Sequence, residues 1–228
     1  MAAAAGSPEI VAMMLADARL PTGGHTQSGG LEPAVRAGLG DEGRKLEEIG
    51  AYARDRLRTV VRVEAGTAVV ARHLALTGAD PLDVVPHWAA RTPSRALRDA
   101  SRRQGRGYIR LAARVWPEVL RHLPADTELP RPLVVGVVGA VTGLGAAGTA
   151  RLIGYDDAQT VVAASLKLLP IDPGDAAVWL AGLHRDIEDL AQHVQDLVTP
   201  DTIPADAAPG IDLFAEQHSY ERMRLFHA

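Results

Sequence analysis

Leu15-Ala16-Asp17-Ala18-Arg19-Leu20-Pro21-Thr22-Gly23-Gly24, followed by Ser28-Gly29-Gly30-Leu31-Glu32, is the stretch from which the fold reads outward. An apolar helical run ends at Pro21, the chain crosses two glycines, and a Ser precedes a second helix with Pro33 in its first turn. Proline stops a helix, glycine accepts backbone angles closed to other residues, and a Ser hydroxyl can accept a bond from a first-turn N–H. The pattern predicts a helix stop, a loop of unusual backbone geometry and a helix start capped by Ser28.

Helical spacing recurs along nearly the whole chain. Ile10, Met13, Met14 and Leu15 mark the first helix, and Leu46, Ile49, Ala53, Leu57, Val60 and Val61 trace one face of a single long one. Asp80-Pro81 and Thr92-Pro93 each read as an N-cap followed by a first-turn proline. A proline-rich break at 123–132 separates two halves. The second half opens with an apolar run at 133–141, and helices are expected around 157–169 and 175–198. No internal repeat is present. The expectation is all-α, a single-domain bundle of roughly eight to ten helices. Residues 1–198 would form the domain, 199–210 a proline-rich linker, and 211–228 a terminal tail. That tail carries Leu213, Phe214, Tyr220, Met223, Leu225 and Phe226. It is too short to hold a helix alone, which suits folding on a partner, with packing back onto its own domain as the alternative.

Composition narrows the class. With 228 residues, 47% of them apolar and 4% aromatic, the chain has material for one core built largely of Ala, Val and Leu, which favours closely packed helices. A net charge of −4 gives no general case for nucleic acid. The absence of cysteine excludes disulfides and thiolate chemistry and suits a reducing cytosol, so a cytoplasmic location is expected. The N-terminal Met1-Ala2-Ala3-Ala4-Ala5 lacks the basic region of a secretory signal. The uncharged run 133–150 carries five glycines and reads poorly as a membrane span.

Several constellations invite chemistry. Gly143-Leu144-Gly145-Ala146-Ala147-Gly148 matches the dinucleotide fingerprint, with 134–141 as its strand, which would make the chain a dinucleotide-dependent enzyme. No acidic residue stands about twenty positions on and no βαβ pattern surrounds it, so a helical hairpin turning at 143–145 is the preferred reading. The P-loop pattern is missing, and the only lysines are Lys45 and Lys167. Ser28 fails the nucleophile-elbow pattern despite His25 nearby. His184 with Glu188, and Asp189 with His193, are i,i+4 pairs without an evident third ligand, so no metal site is assigned. Arg91, Arg95, Arg98, Arg102, Arg103, Arg106, Arg110 and Arg114 form a basic stripe opposed only by Asp99. Tyr108 alone is poor stacking material for bases, and a Gly in mid-helix at Gly105 implies close approach of another backbone, so the stripe reads as an interaction surface.

Three segments together resemble one family. The 15–32 stretch, through Asp17, Leu20, Pro21, Gly23, Gly24, Ser28, Gly30, Leu31 and Glu32, resembles the L-A-D-S-x-L-P-x-G-x-F-S-x-S-x-G-L-E opening of the urease accessory protein UreF family. Ser101-Arg102-Arg103-Gln104-Gly105-Arg106 is similar to its central S-x-x-Q-G-R. His218 with Arg224-Leu225-Phe226 is similar to its closing H-E-x-x-x-x-R-L-F-R-S. His25 and Thr26 replace the usual Phe and Ser, and His227-Ala228 replace the final Arg-Ser. The resemblance implies an all-helical homodimer with no catalysis and no cofactor of its own. It would bridge UreD (also called UreH) and the GTPase UreG, which deliver nickel to apo-urease at the expense of GTP, without touching nucleic acid or membrane. The opening loop and the tail, including Tyr220, would engage UreD, the tail gaining helix as it does so. Arg102, Gln104, Gly105 and Arg106 would face UreG.

Overall fold

Small residues set the architecture, because they let helix backbones approach closely. The computed structural model describes residues 7–221 and 224–226; Met223, His227 and Ala228 of the closing motif lie outside the described residues. Eleven α-helices are formed there: α1 (Pro8–Leu15), α2 (Leu31–Arg36), α3 (Glu47–Arg58), α4 (Val60–Thr77), α5 (Val84–Ala90), α6 (Arg95–Val115), α7 (Arg131–Thr142), α8 (Ala146–Leu168), α9 (Pro173–Gly182), α10 (His184–Val194) and α11 (Pro209–Ser219). No strand occurs among the described residues, and none of their helices is long and apolar enough to cross a membrane.

α4, α7 and α8 are the centre, with α3 and α10 against α8 and α6 against α7. A side chain at Gly136 of α7 would come within 2.2 Å of the Ala68 carbonyl oxygen of α4, so only glycine permits this contact. Every residue of α7 from Arg131 to Gly139 is buried, which explains the unbroken apolar run. That run is helix and not strand. α7 ends at Gly143, whose φ of 76° is left-handed, and α8 starts three residues later. The glycine motif is therefore the turn of a helical hairpin, and the dinucleotide reading falls.

The structure redraws several other boundaries. The long helix through Leu57 and Val61 is two helices, broken at Thr59 (φ −128°, ψ −99°), although Ile49, Ala53, Leu57 and Val61 are all buried. α8 begins well before 157. The expected 175–198 helix divides into α9 and α10 at Leu183. Asp80 caps as expected, its carboxylate accepting from Leu82 N at 2.9 Å, but Thr92-Pro93 does not. Ser94 takes that role, accepting from Leu97 N at 3.2 Å. In α1 the buried face is Val11 and Leu15, while Ile10 and Met13 point outward.

Residues 199–210 are pinned. Arg91 donates to the carbonyl oxygens of Ile203 (2.9 Å) and Asp201 (3.1 Å), Ile203 is buried, and Pro204 packs on Gly66. The first part of the tail, through Ser219, is already helical as α11, packed on α2 and α6 through Ile211, Ala215 and His218. The expectation that it gains its helix only on a partner is thus corrected: its own domain supplies the apolar surface a short helix needs.

Candidate protein-docking face

The opening loop is built on left-handed glycines. Gly23, Gly29 and Gly30 have φ of 81°, 61° and 77°, and a side chain at Gly30 would press on the Tyr52 hydroxyl at 2.9 Å. Gly30, not Ser28, is the N-cap of α2. Ser28 acts from further upstream: fully buried, its Oγ accepts from Glu32 N at 3.3 Å. The loop is clamped from below. Arg56 Nη1 and the Tyr52 hydroxyl donate to the Gly29 carbonyl oxygen at 2.7 and 2.9 Å, and Arg56 is held by Asp157 through bonds of 2.6 and 2.9 Å. Burial raises the Tyr52 hydroxyl above its ordinary value of 10.0, so it remains a donor.

Glu32 joins the opening segment to the closing one. Its buried carboxylate accepts from Leu225 N (2.8 Å) and Phe226 N (2.9 Å), 193 and 194 residues away, and pairs with Arg36 at 2.6 Å. His218, also fully buried, lies 3.0 Å from Glu221 through Nδ1 and 3.1 Å from the Phe226 carbonyl oxygen through Nε2. Glu221 also pairs with Arg36. Lys167 of α8 stands over the Phe226 ring at 5.0 Å.

The third segment meets the first at a glycine that sequence reasoning passed over. A side chain at Gly107 would come within 2.8 Å of Thr22 Cα, so the opening loop lies directly on α6. α11 is fastened to the start of the same helix, where Glu216 accepts from Ser94 Oγ (2.7 Å) and Ala96 N (3.0 Å). Loop, α6 and tail form one continuous face. The spacing Gly105-x-Gly107 was the available signal; Tyr52, Arg56, Asp157, Lys167 and Glu216 had none.

Within this face, Ser28, Gly30, Leu31, Glu32, Gly105, His218 and Phe226 are buried and shape the surface from behind. Gly105 does meet another backbone, but it is the chain's own: a side chain there would lie 1.9 Å from the Leu129 carbonyl oxygen. Pro21, Arg106, Arg224, Leu225 and Tyr220 are exposed, Tyr220 by 82% and Leu225 by 65%. Leu20, Gly23, Gly24, Arg102 and Gln104 are half-buried. Asp17 is held by Arg19 (2.7 Å), whose guanidinium lowers its carboxyl to about 2. The expected basic stripe is divided. Arg98 donates to the Thr92 and Pro93 carbonyl oxygens, and Arg102 lies over Trp88 at 5.4 Å. Arg106 pairs with Glu128 at 2.8 Å. Among the described residues, no group of three or more His, Cys, Asp or Glu is arranged to hold a metal ion.

The chain is similar to known proteins over most of its length. The family model described as UreF matches residues 44–184. The urease accessory protein UreF of Mycobacterium sp. (strain JLS) is 39% identical over 218 residues, covering 94% of this chain and 96% of that protein. Those of Mycolicibacterium vanbaalenii and Mycobacterium tuberculosis (strain H37Ra) are each 38% identical, covering 94% of this chain and 96% and 95% of theirs.

Proposed function

The chain belongs to the UreF family of urease accessory proteins, a non-catalytic family, and on that premise we propose that it is a scaffold bridging UreD (UreH) and the GTPase UreG. The assembly would insert nickel into apo-urease at the expense of GTP. In this reading the chain works in the cytoplasm as a homodimer, engages neither nucleic acid nor membrane, and leaves nickel and nucleotide to its partners.

The observation that carries the proposal is the joining of opening loop, α6 and tail into one face through Glu32 and Gly107. Such a buried framework costs conformational freedom that a simple chain end would keep. What it achieves is the display outside the core of Tyr220 and Leu225, two large apolar side chains, with Pro21 also exposed, in a preorganised arrangement. UreD docks on this apolar part, and UreG on the neighbouring Gln104–Arg106 side.

Light scattering on chromatographed protein, co-expressed with cognate UreD and UreG, tests the assignment. Cutting at Gly210 is uninformative, because it strips Ile211, Ala215, His218 and Phe226 from the core. Tyr220→Asp with Leu225→Asp changes only exposed side chains. That double variant should keep its thermal midpoint and lose UreD; Arg106→Ala should keep UreD and lose UreG. Wild-type-like complexes from both variants would reject the placement, and no complex with the wild-type chain would reject the bridging itself.

A further inference from the structure

From its middle to its C-terminal end, α6 carries a row of guanidinium groups that no other described residue engages. Arg103, Arg110 and Arg114 are exposed, and among the described residues they make no ion pair and no hydrogen bond. On a helix of 3.6 residues per turn they lie within about 40° of one another and span ~16 Å. The opposite face of the helix is buried through Ser101, Gly105, Tyr108, Ile109 and Ala112, so the row is fixed toward solvent. Its position is also rigid, since Gly105 and Gly107 seat α6 on the backbone of Leu129 and Thr22.

We propose that this row is a docking surface for a partner protein presenting carboxylates at helical spacing. Three observations select an acidic protein surface. Arg106, on the edge of the row, already binds a carboxylate, that of Glu128 at 2.8 Å, so the face accepts the ligand chemistry from within its own chain. The one aromatic residue of α6, Tyr108, is buried and cannot stack on a base. The chain as a whole is acidic, at −4, and repels a phosphate polymer at long range while three adjacent guanidinium groups attract a short acidic segment. The inference rests on the bridging reading only in giving the chemistry of one partner; the surface can be tested without that partner.

The test uses full-length protein and a soluble helical peptide with Glu at positions i, i+7 and i+11, beside its Gln counterpart and a duplex DNA. The wild type should bind the Glu peptide in a salt-sensitive manner and the Gln peptide weakly. The triple variant R103E/R110E/R114E should bind the Glu peptide at least about tenfold more weakly with an unchanged melting curve, since three exposed ion pairs are lost together and replaced by like charges. Equal binding by the triple variant, or equal binding of the two peptides, overturns the proposal. DNA binding stronger than peptide binding, and lost in the variant, overturns it in favour of nucleic acid. If the peptide results hold while wild-type protein forms no complex with UreD or UreG, the bridging reading fails and the acidic-docking surface stands.

Discussion

Gly105 and Gly50 are both glycines inside helices, yet they meet opposite surroundings. A methyl group at Gly105 would run into the Leu129 carbonyl oxygen at 1.9 Å, a backbone atom that cannot swing away, whereas at Gly50 nothing lies within 4 Å. Gly105→Ala should therefore lose about 3 kcal/mol, and Gly50→Ala should gain about 0.5–1 kcal/mol by restricting the unfolded chain. Urea unfolding of the two variants measures both; a stable Gly105→Ala protein would mean that α6 and the Leu129 segment are not in contact. Sequence alone pointed to close approach at Gly105, because a helix tolerates a mid-helix glycine at a cost and some contact must offset it. Whose backbone approaches was a tertiary matter, and it is the chain's own.

At the scale of elements, the attachment of α11 to α6 depends on Glu216. The Ala96 N–H, then the Ser94 hydroxyl, hold its carboxyl below the ordinary Glu value of 4.5. A carboxyl lowered on folding contributes stability that is present above 4.5 and lost as pH falls through the lower folded value. Amide exchange in α11 should accelerate relative to α7 as pH drops below 4.5, after correction for intrinsic rates, and Glu216→Gln should flatten that dependence. An unchanged acid dependence in the Gln variant would remove Glu216 from the attachment. The helix boundaries show why local reading went part of the way. Asp80-Pro81 was legible because cap and proline are adjacent. The break at Thr59 was not, since Leu57 and Val61 keep one apolar period across it while the backbone leaves helical angles for a single residue. Gly23 was legible as a loop position of unusual backbone geometry; the Gly107–Thr22 contact and the Arg56–Asp157 clamp lay hidden because their partners are far apart in the chain, 101 residues for the clamp.

Across the whole molecule, one buried charge network locks the helices together. Glu64 of α4 accepts from Arg131 of α7 (2.9 Å), Ser101 of α6 (3.0 Å) and Trp88 of α5 (3.3 Å), and Arg131 reaches Asp156 of α8 at 2.6 Å. Burial pushes the Asp156 carboxyl above its ordinary value of 3.8, with Arg131 opposing. Arg131→Ala leaves two largely buried carboxylates without their cation and should cost about 3–5 kcal/mol near neutrality. A carboxyl raised on folding is penalised as pH rises, so this deficit should shrink as pH falls toward 3.8. Chemical unfolding from pH 7 to 4 checks both statements, and a pH-independent deficit would show that Asp156 does not sense Arg131. By itself, the sequence determined that the chain is helical, where its glycine turns fall and which family it resembles, because periodicity, capping and short motifs are written within a few residues. Only the tertiary structure decided that Leu225 and Phe226 close on Glu32, that α11 is folded on its own domain, and which arginines of α6 find no partner among the described residues. Those outcomes depend on contacts between residues far apart in the chain, and no local pattern records them.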